Sequence, residues 1–342
     1  MTDPAPPGAP FWMTPPDPAL AVETRALARR FGRHDAVAGI DLRVPTGSVY
    51  GFLGLNGSGK STTLRMLMGL LTPSGGAAAL LGGTLDPAVD DLEVKRRVGY
   101  VPDTPSFYEW MTVAESLAFV RHYRKARWDD ARAAHLLKAF DVPTGQRLDG
   151  LSRGQRAKVA LVQSLAFHPD LLILDEATLG LDPLARRQFT EGLLAEYADG
   201  TRTVVVSSHL IHEIAGIVDH VGILKDGQLI RQQRSDALLA GLKRARLVYD
   251  DAAAPTAFAV DGLMNHRVEG REALLAIDNF DPARTPAQLA RLGARTVTVE
   301  DLTLEEAFLE LAAGGAPPLA LTPEAEEPAG SDRAAAGAGA VR

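Results

Sequence analysis

Gly54, Gly59, Lys60 and Ser61 have the residue types and the spacing, G-x-x-x-x-G-K-S, of a loop that wraps phosphate groups. Across Gly54, Leu55, Asn56, Gly57, Ser58, Gly59, Lys60, Ser61 and Thr62 the chemistry divides cleanly. Glycines let backbone amides approach an anion, and the following helix start adds its positive end. Lys60 would offset charge on the outer phosphates, and Ser61 would offer its hydroxyl to magnesium. The apolar run SVYGFL precedes the loop and the periodic stretch TLRMLMGLL follows it, so the sequence predicts a strand-to-helix turn there. A glycine-rich turn with no ligand is the competing reading, and those flanking elements argue against it.

Two more groups fit chemistry on phosphates. LLILDEATLGLD, from Leu171 to Asp182, reads as a buried central strand that delivers Asp175 and Glu176 at its C-terminal edge, where open α/β sheets hold ligands. Asp175 is expected to steer magnesium, and Glu176 to polarise the water that attacks the terminal phosphorus. A solvated acidic strand end is the plainer alternative. In LDGLSRGQRAKVALVQSLAFHPD, Ser152 takes a helix N-cap position, and Val159, Leu161, Val162, Leu165 and Ala166 form an apolar face. Gly154 inside that first turn costs ~1 kcal/mol against alanine, which suggests that a ligand must come close.

These groups need a scaffold. Strand-like and helix-like segments alternate from Ala21 to about Gln232, the pattern of an α/β domain with a largely parallel sheet. Hairpins flank it, one joined by Gly32, Arg33, His34 and Asp35 and the other turning at Asp226-Gly227. Residues 112–149 read as helical. Past Asp236 the composition shifts to a small α+β unit, whose last helix opens with a capping box, Thr303 with Glu306. The Pro-rich residues 1–18 and the Pro/Ala/Gly/Glu-rich residues 315–342 read as disordered tails. A formal net charge of −7 argues against binding nucleic acid by bulk charge, and no nucleic-acid partner is expected. The absence of cysteine rules out disulfides and thiolate ligands, and no stretch approaches the ~20 apolar residues of a membrane span.

LSRGQ, placed between the phosphate loop and the carboxylate strand, resembles the LSGGQ signature of ATP-binding cassette (ABC) proteins, and the resemblance covers about Ala21 to Gln232. It implies an α/β P-loop NTPase of ABC type over residues 19–235. That fold has a RecA-like core, an antiparallel β subdomain and a helical subdomain at about 104–168, here followed by a small α+β accessory domain at 236–314. ATP and magnesium would be the cofactors. Two such domains pair head to tail, so Ser152, Gly154 and Gln155 of one would touch the terminal phosphate held by the other. By position, Phe31 aligns with the aromatic that stacks on adenine, although packing beside the hairpin is the ordinary role of such a residue. His209 matches the switch histidine that orients the attacking water. Asp182 matches the loop linking the two sites and could equally cap a helix ahead of Pro183.

Three positions depart from the family pattern. Asp103 stands where glutamine is usual and could still ligate magnesium, though it is shorter, charged and unable to donate a hydrogen bond. Arg153 replaces the first signature glycine and Ala177 the proline after the catalytic glutamate. Phe107, Tyr108, Trp110 and Met111 fall where transport ATPases receive a membrane subunit, and either dock it or pack the helical lobe. RTVTVEDLTLEEAFLELAAG resembles the tail of ATPase subunits of drug and antibiotic exporters. The resemblance therefore implies a peripheral ATPase on the cytoplasmic face of the membrane, a homodimer in its simpler form, driving separate integral membrane subunits. A soluble ABC ATPase acting on ribosomes or DNA, or a regulatory cassette, is the alternative.

Overall fold

A computed structural model describes residues 16–85, 92–177, 200–208, 211–250 and 254–313, with residues 181, 183, 186, 187, 189, 190, 192 and 197 between them. At its centre is a six-stranded sheet, ordered β11-β10-β4-β9-β8-β7. Its strands are β4 (Val49–Gly54), β7 (Val98–Val101), β8 (Leu171–Asp175), β9 (Thr203–Ser208), β10 (His220–Lys225) and β11 (Gln228–Arg234). All pairings are parallel except β10 with β11. Continuous apolar runs such as LLIL and TVVV form these strands because both faces are covered.

Alternation along the strands feeds two cores. Tyr50, Phe52, Leu171, Ile173 and Val205 point to one face, where helix α1 (Lys60–Leu67) packs with Leu64 and Leu67. Val49, Leu53, Leu172, Leu174, Val204 and Val206 point to the other. The first core is closed by an antiparallel sheet ordered β2-β1-β5-β6, with β3 beside β1. It is built from β1 (Leu20–Phe31), β2 (His34–Ile40), β3 (Arg43–Pro45), β5 (Gly75–Leu80) and β6 (Gly83–Leu85). Both expected hairpins are present. The first turn is tighter than the four residues expected, because Phe31 already pairs with His34 and leaves Gly32 and Arg33 to turn. At the second, Asp226 and Gly227 have φ of 48° and 76°, the left-handed pair that matches the twist of the flanking strands.

Helix α2 (Leu92–Arg97) leads into β7, and the second core is covered by α3 (Val113–Tyr123), α4 (Asp130–Ala139) and α5 (Arg153–Leu165). Thr112, Asp129 and Ser152 each cap one of these helices through a side-chain oxygen. The apolar face expected on α5 is buried at Val159, Leu161, Val162, Leu165 and Ala166.

A third, antiparallel sheet is ordered β13-β14-β12-β15, from β12 (Lys243–Val248), β13 (Leu263–Glu269), β14 (Glu272–Ile277) and β15 (Thr296–Asp301). Leu247, Tyr249, Leu275, Ile277 and Leu289 make its own small core. The closing helix, Leu304–Ala313, turns away from that core. Its Leu304, Ala307, Phe308 and Leu311 join Ile211, Ile214 and Leu238 in the second core of the central sheet. The capping box read from the sequence starts this helix, with Glu306 N donating to Thr303 Oγ1 at 3.2 Å and Thr303 N to Glu306 Oε2 at 2.9 Å. Arg244 of β12 then clamps Glu306 and Glu310 at 2.8 and 3.1 Å, binding the third sheet to the helix.

Truncating Phe308, which is 3% exposed, should therefore lower the stability of the main body. Phe308→Ala is expected to cost about 3–5 kcal/mol in urea unfolding. Val299→Ala, at a position 39% exposed on β15, should stay within about 0.5 kcal/mol.

Candidate functional site

At the C-terminal edge of the central sheet, β4 and β8 release the chain on either side of β9. Gly54 ends β4, the loop turns through Gly57 and Gly59, and α1 begins at Lys60. Gly59 has φ of 107°, and a Cβ there would sit 2.4 Å from the Ala36 carbonyl oxygen, so only glycine fits. No side chain caps α1. Unlike α3, α4 and α5, this helix therefore presents first-turn amides with no partner of its own, which suits an anion.

Lys60 is buried, 5% exposed, and its Nζ donates to the carbonyl oxygens of Gly54 at 2.7 Å and Leu55 at 3.3 Å. Glu176 Oε1 lies 3.8 Å away. Burial pulls the ammonium pKa below its usual value, against the opposing pull of Glu176 and Asp175. Ser61 Oγ donates to Asp175 Oδ1 at 2.9 Å. Asp175 is wholly buried and its Oδ2 has no hydrogen-bond partner. Burial raises its carboxyl pKa, and the nearby hydroxyls of Ser61 and Ser207, with the charge of Arg65, only partly offset this. Glu176 follows in the left-handed region at φ 51°, unusual for a side chain of this kind, with its amide fixed on the Ser207 carbonyl at 3.0 Å.

Asn56, Gly57, Gly59, Lys60, Ser61, Thr62, Asp103 and Glu176 line one cleft of about 630 Å³, together with His34, Ala36 and Arg153. Eight of the residues chosen from the sequence are thus gathered, and Asp175 lies beneath them, bonded to Ser61 but not lining the cleft. Gly54 and Ser58 lie under the loop, where a Cβ on Gly54 would be 2.4 Å from Ser58 Oγ. Leu55 is exposed.

Phe31 does not line the cleft, whereas its strand partner His34 does. Its ring is half exposed and carries the Arg29 guanidinium 4.6 Å from its centroid. Ser152 and Gln155 are engaged with each other, Gln155 N donating to Ser152 Oγ at 3.2 Å and Ser152 N to Gln155 Oε1 at 3.0 Å. The signature thus doubles as a capping box, a role the sequence analysis left unassigned to Gln155 although Ser-x-x-Gln is its pattern. Ser152, Gly154 and Gln155 lie outside the residues that line this chain's own cleft. His209 and Asp182 lie outside the described residues. His34, Ala36 and Arg153 are the cleft residues that sequence reasoning passed over as site members. Arg153 carried a signal, since it breaks the signature pattern as Asp103 breaks its own.

A family model described as ABC transporter matches residues 37–179. The daunorubicin/doxorubicin resistance ATP-binding protein DrrA of Streptomyces peucetius is 34% identical over 313 residues, covering 86% of this chain and 93% of DrrA. This chain is an ATP-binding subunit of the ABC transporter family. The bacitracin transport ATP-binding protein BcrA of Bacillus licheniformis is 31% identical, covering 64% of this chain and 71% of BcrA. Among solved structures, an ATP-binding subunit of an ABC transporter superposes with a TM-score of 0.59 at 28% identity, covering 64% of this chain and 92% of that one. The fold and the class of activity expected from LSRGQ and its neighbours therefore hold for this ABC ATPase.

Because the folded pKa of Asp175 is raised, its ionisation costs stability as pH rises through that value, and the cost is absent below its unfolded pKa. Asp175→Asn should accordingly raise the Tm of the nucleotide-free protein at pH 8, by about 2 °C or more for a chain of this size, and the gain should vanish towards pH 4. Thermal scans across pH test this.

Proposed function

We propose that this ABC ATPase cleaves ATP in a head-to-tail pair of cassettes, and that the motion drives export through separate membrane subunits. The convergence of Lys60, Ser61 and Glu176 on one cleft, with Asp175 bonded to Ser61 beneath it, carries this reading. Phosphate oxygens would take over from the Gly54 carbonyl as partners of Lys60, and the uncapped amides of α1 would face the same anion. Ser61 and the unpartnered Asp175 Oδ2 suit magnesium, and Asp103 opens onto the same cleft. No three His, Cys, Asp or Glu side chains converge for a metal among the described residues, which fits an ion that takes most of its ligands from phosphate and water. When bound, magnesium would neutralise charge on the phosphate oxygens.

Glu176 would accept the proton of the attacking water, with Lys60 holding the carboxylate close to the phosphate and the fixed Ser207 contact setting its backbone. His209 is assigned the orientation of that water, Asp182 the link between sites, and Phe31 the adenine face opposite Arg29. Ser152, Gly154 and Gln155, which do not line this chain's own cleft, are assigned to the partner cassette's nucleotide.

The aromatic segment after β7 has two parts. Phe107 and Met111 pack on the second core, and Arg156 pins the segment to α5 by a two-pronged bond to Glu109 at 2.8 and 2.9 Å. Tyr108 and Trp110 stay exposed at 56% and 62%, and their rings continue through Phe119 to Tyr123 at centroid spacings of 5.5 and 5.1 Å. Such a row favours docking of a membrane subunit. No helix among the described residues is long and apolar enough to cross a membrane. The likeness to transport ATP-binding proteins assigns the membrane part to a separate chain and this one to the cytoplasmic face. The match to DrrA, over 86% of this chain, must run past residue 235 into the third sheet, which supports a 236–314 unit of the drug-exporter type. An antibiotic-like cargo and a homodimer are the forms this reading favours.

Glu176→Gln should keep nucleotide binding and lose turnover by about 10²–10⁴-fold, while Lys60→Ala should lose binding. With ATP and magnesium, the Glu176→Gln protein should sediment as a dimer and capture a polytopic membrane protein from detergent-solubilised native membranes, which Lys60→Ala should not. Recovery with ribosomal or DNA-bound proteins alone would overturn the transport reading. Tyr108→Ala with Trp110→Ala should weaken the membrane capture by about 5–30-fold and leave nucleotide affinity unchanged.

A further inference from the structure

The two positions where this chain departs most in charge from the ABC pattern are bonded to each other. Arg153 Nη2 donates to Asp103 Oδ1 at 3.2 Å, across 50 residues of sequence. Asp103 follows β7 and Arg153 is the first residue of α5, so the pair spans the mouth of the phosphate cleft, which both residues line. Apart from this pair, the charged groups lining the cleft are Glu176 and Lys60, 3.8 Å apart. A carboxylate at 103 in place of an uncharged amide adds a negative charge beside a site for a polyanion, and Arg153 in place of glycine adds the positive charge that cancels it. The guanidinium also biases where the Asp103 carboxylate points.

We infer that Arg153 is a positioning residue for Asp103, and that the two are a compensating pair: each alone would shift the affinity of the cleft for polyphosphate, in opposite directions, and together they leave it balanced. This rests on the ATP reading above. The pair is half exposed on both sides, so its own contribution to folding is small. Its effect falls on the ligand. A unit charge lining such a cleft changes the affinity for an anion by about 3–10-fold at the dielectric of a protein surface.

The test is a double-mutant cycle read by binding of a fluorescent, non-hydrolysable ATP analogue in chelator and in magnesium. In chelator, Arg153→Gly is expected to weaken binding by about 3–10-fold, and Asp103→Gln to tighten it by a similar factor. The double variant should return to within about twofold of the parent, and Arg153→Lys, which keeps the charge, should stay as close. Arg153→Ala repeats the measurement without the helix cost of glycine. In magnesium the Arg153→Gly deficit should shrink, because Asp103 then meets a cation. Tm values should remain within about 2 °C of the parent throughout.

Both single variants moving in the same direction, or a double variant as weak as Arg153→Gly, would overturn the inference and leave the pair a surface contact. Failure of the parent protein to bind the analogue, or binding undiminished by Lys60→Ala, would instead sink the ATP reading. The two failures are therefore distinct.

Discussion

A buried ammonium has to be surrounded by oxygen, and Lys60 sets the terms for everything around it. An unpaired charge at 5% exposure would be too costly to hold, so the loop bends until the Gly54 carbonyl is 2.7 Å from Nζ and Glu176 stands across from it. That bend depends on Gly59, whose neighbour Ala36 leaves no space for a Cβ. Glu176 in turn takes a left-handed backbone conformation to remain beside β9 and within reach of the lysine. The left-handed backbone of Glu176, the burial of Lys60 and the unpartnered oxygen of Asp175 are thus gathered around one loop.

The sheet makes this arrangement rigid. β4 and β8 lie either side of β9, in parallel register, with every residue of all three strands buried. Alternate side chains anchor each strand in two cores at once, so neither carboxylate can move without disturbing packing on both faces. The closing helix extends that rigidity. By seating Phe308 in the second core rather than in the third sheet, the chain ties its C-terminal elements to the same body that carries the cleft.

Contacts around α5 give the opposite impression. Arg156 holds the aromatic segment through Glu109, and Arg153 reaches across to Asp103, so the start of this helix is tied to the segment after β7 by exposed or half-exposed charges. Exposed ion pairs are weak and exchangeable. The body of α5 is nevertheless buried in the second core, so these pairs act only on its first turn.

Patterns that depend on local spacing were legible in the sequence. The phosphate loop, the apolar strand before Asp175, the Asp226-Gly227 turn, the Ser152 cap and the Thr303–Glu306 box each lie within a few residues, where backbone geometry and side-chain reach are fixed by residue type. The resemblance carried by LSRGQ added the family. What required tertiary structure was every relation between distant segments: Asp103 meeting Arg153, His34 entering the cleft in place of Phe31, and the closing helix leaving its own sheet for another core. The four aromatic positions show the same limit, since Phe107 and Met111 are drawn inward while Tyr108 and Trp110 are not. Sequence by itself determined which groups could bind phosphate, because that chemistry is written in adjacent residues. Which charges those groups would face was decided only by folding, because it depends on strands and helices that the chain brings together from 50 or more residues apart.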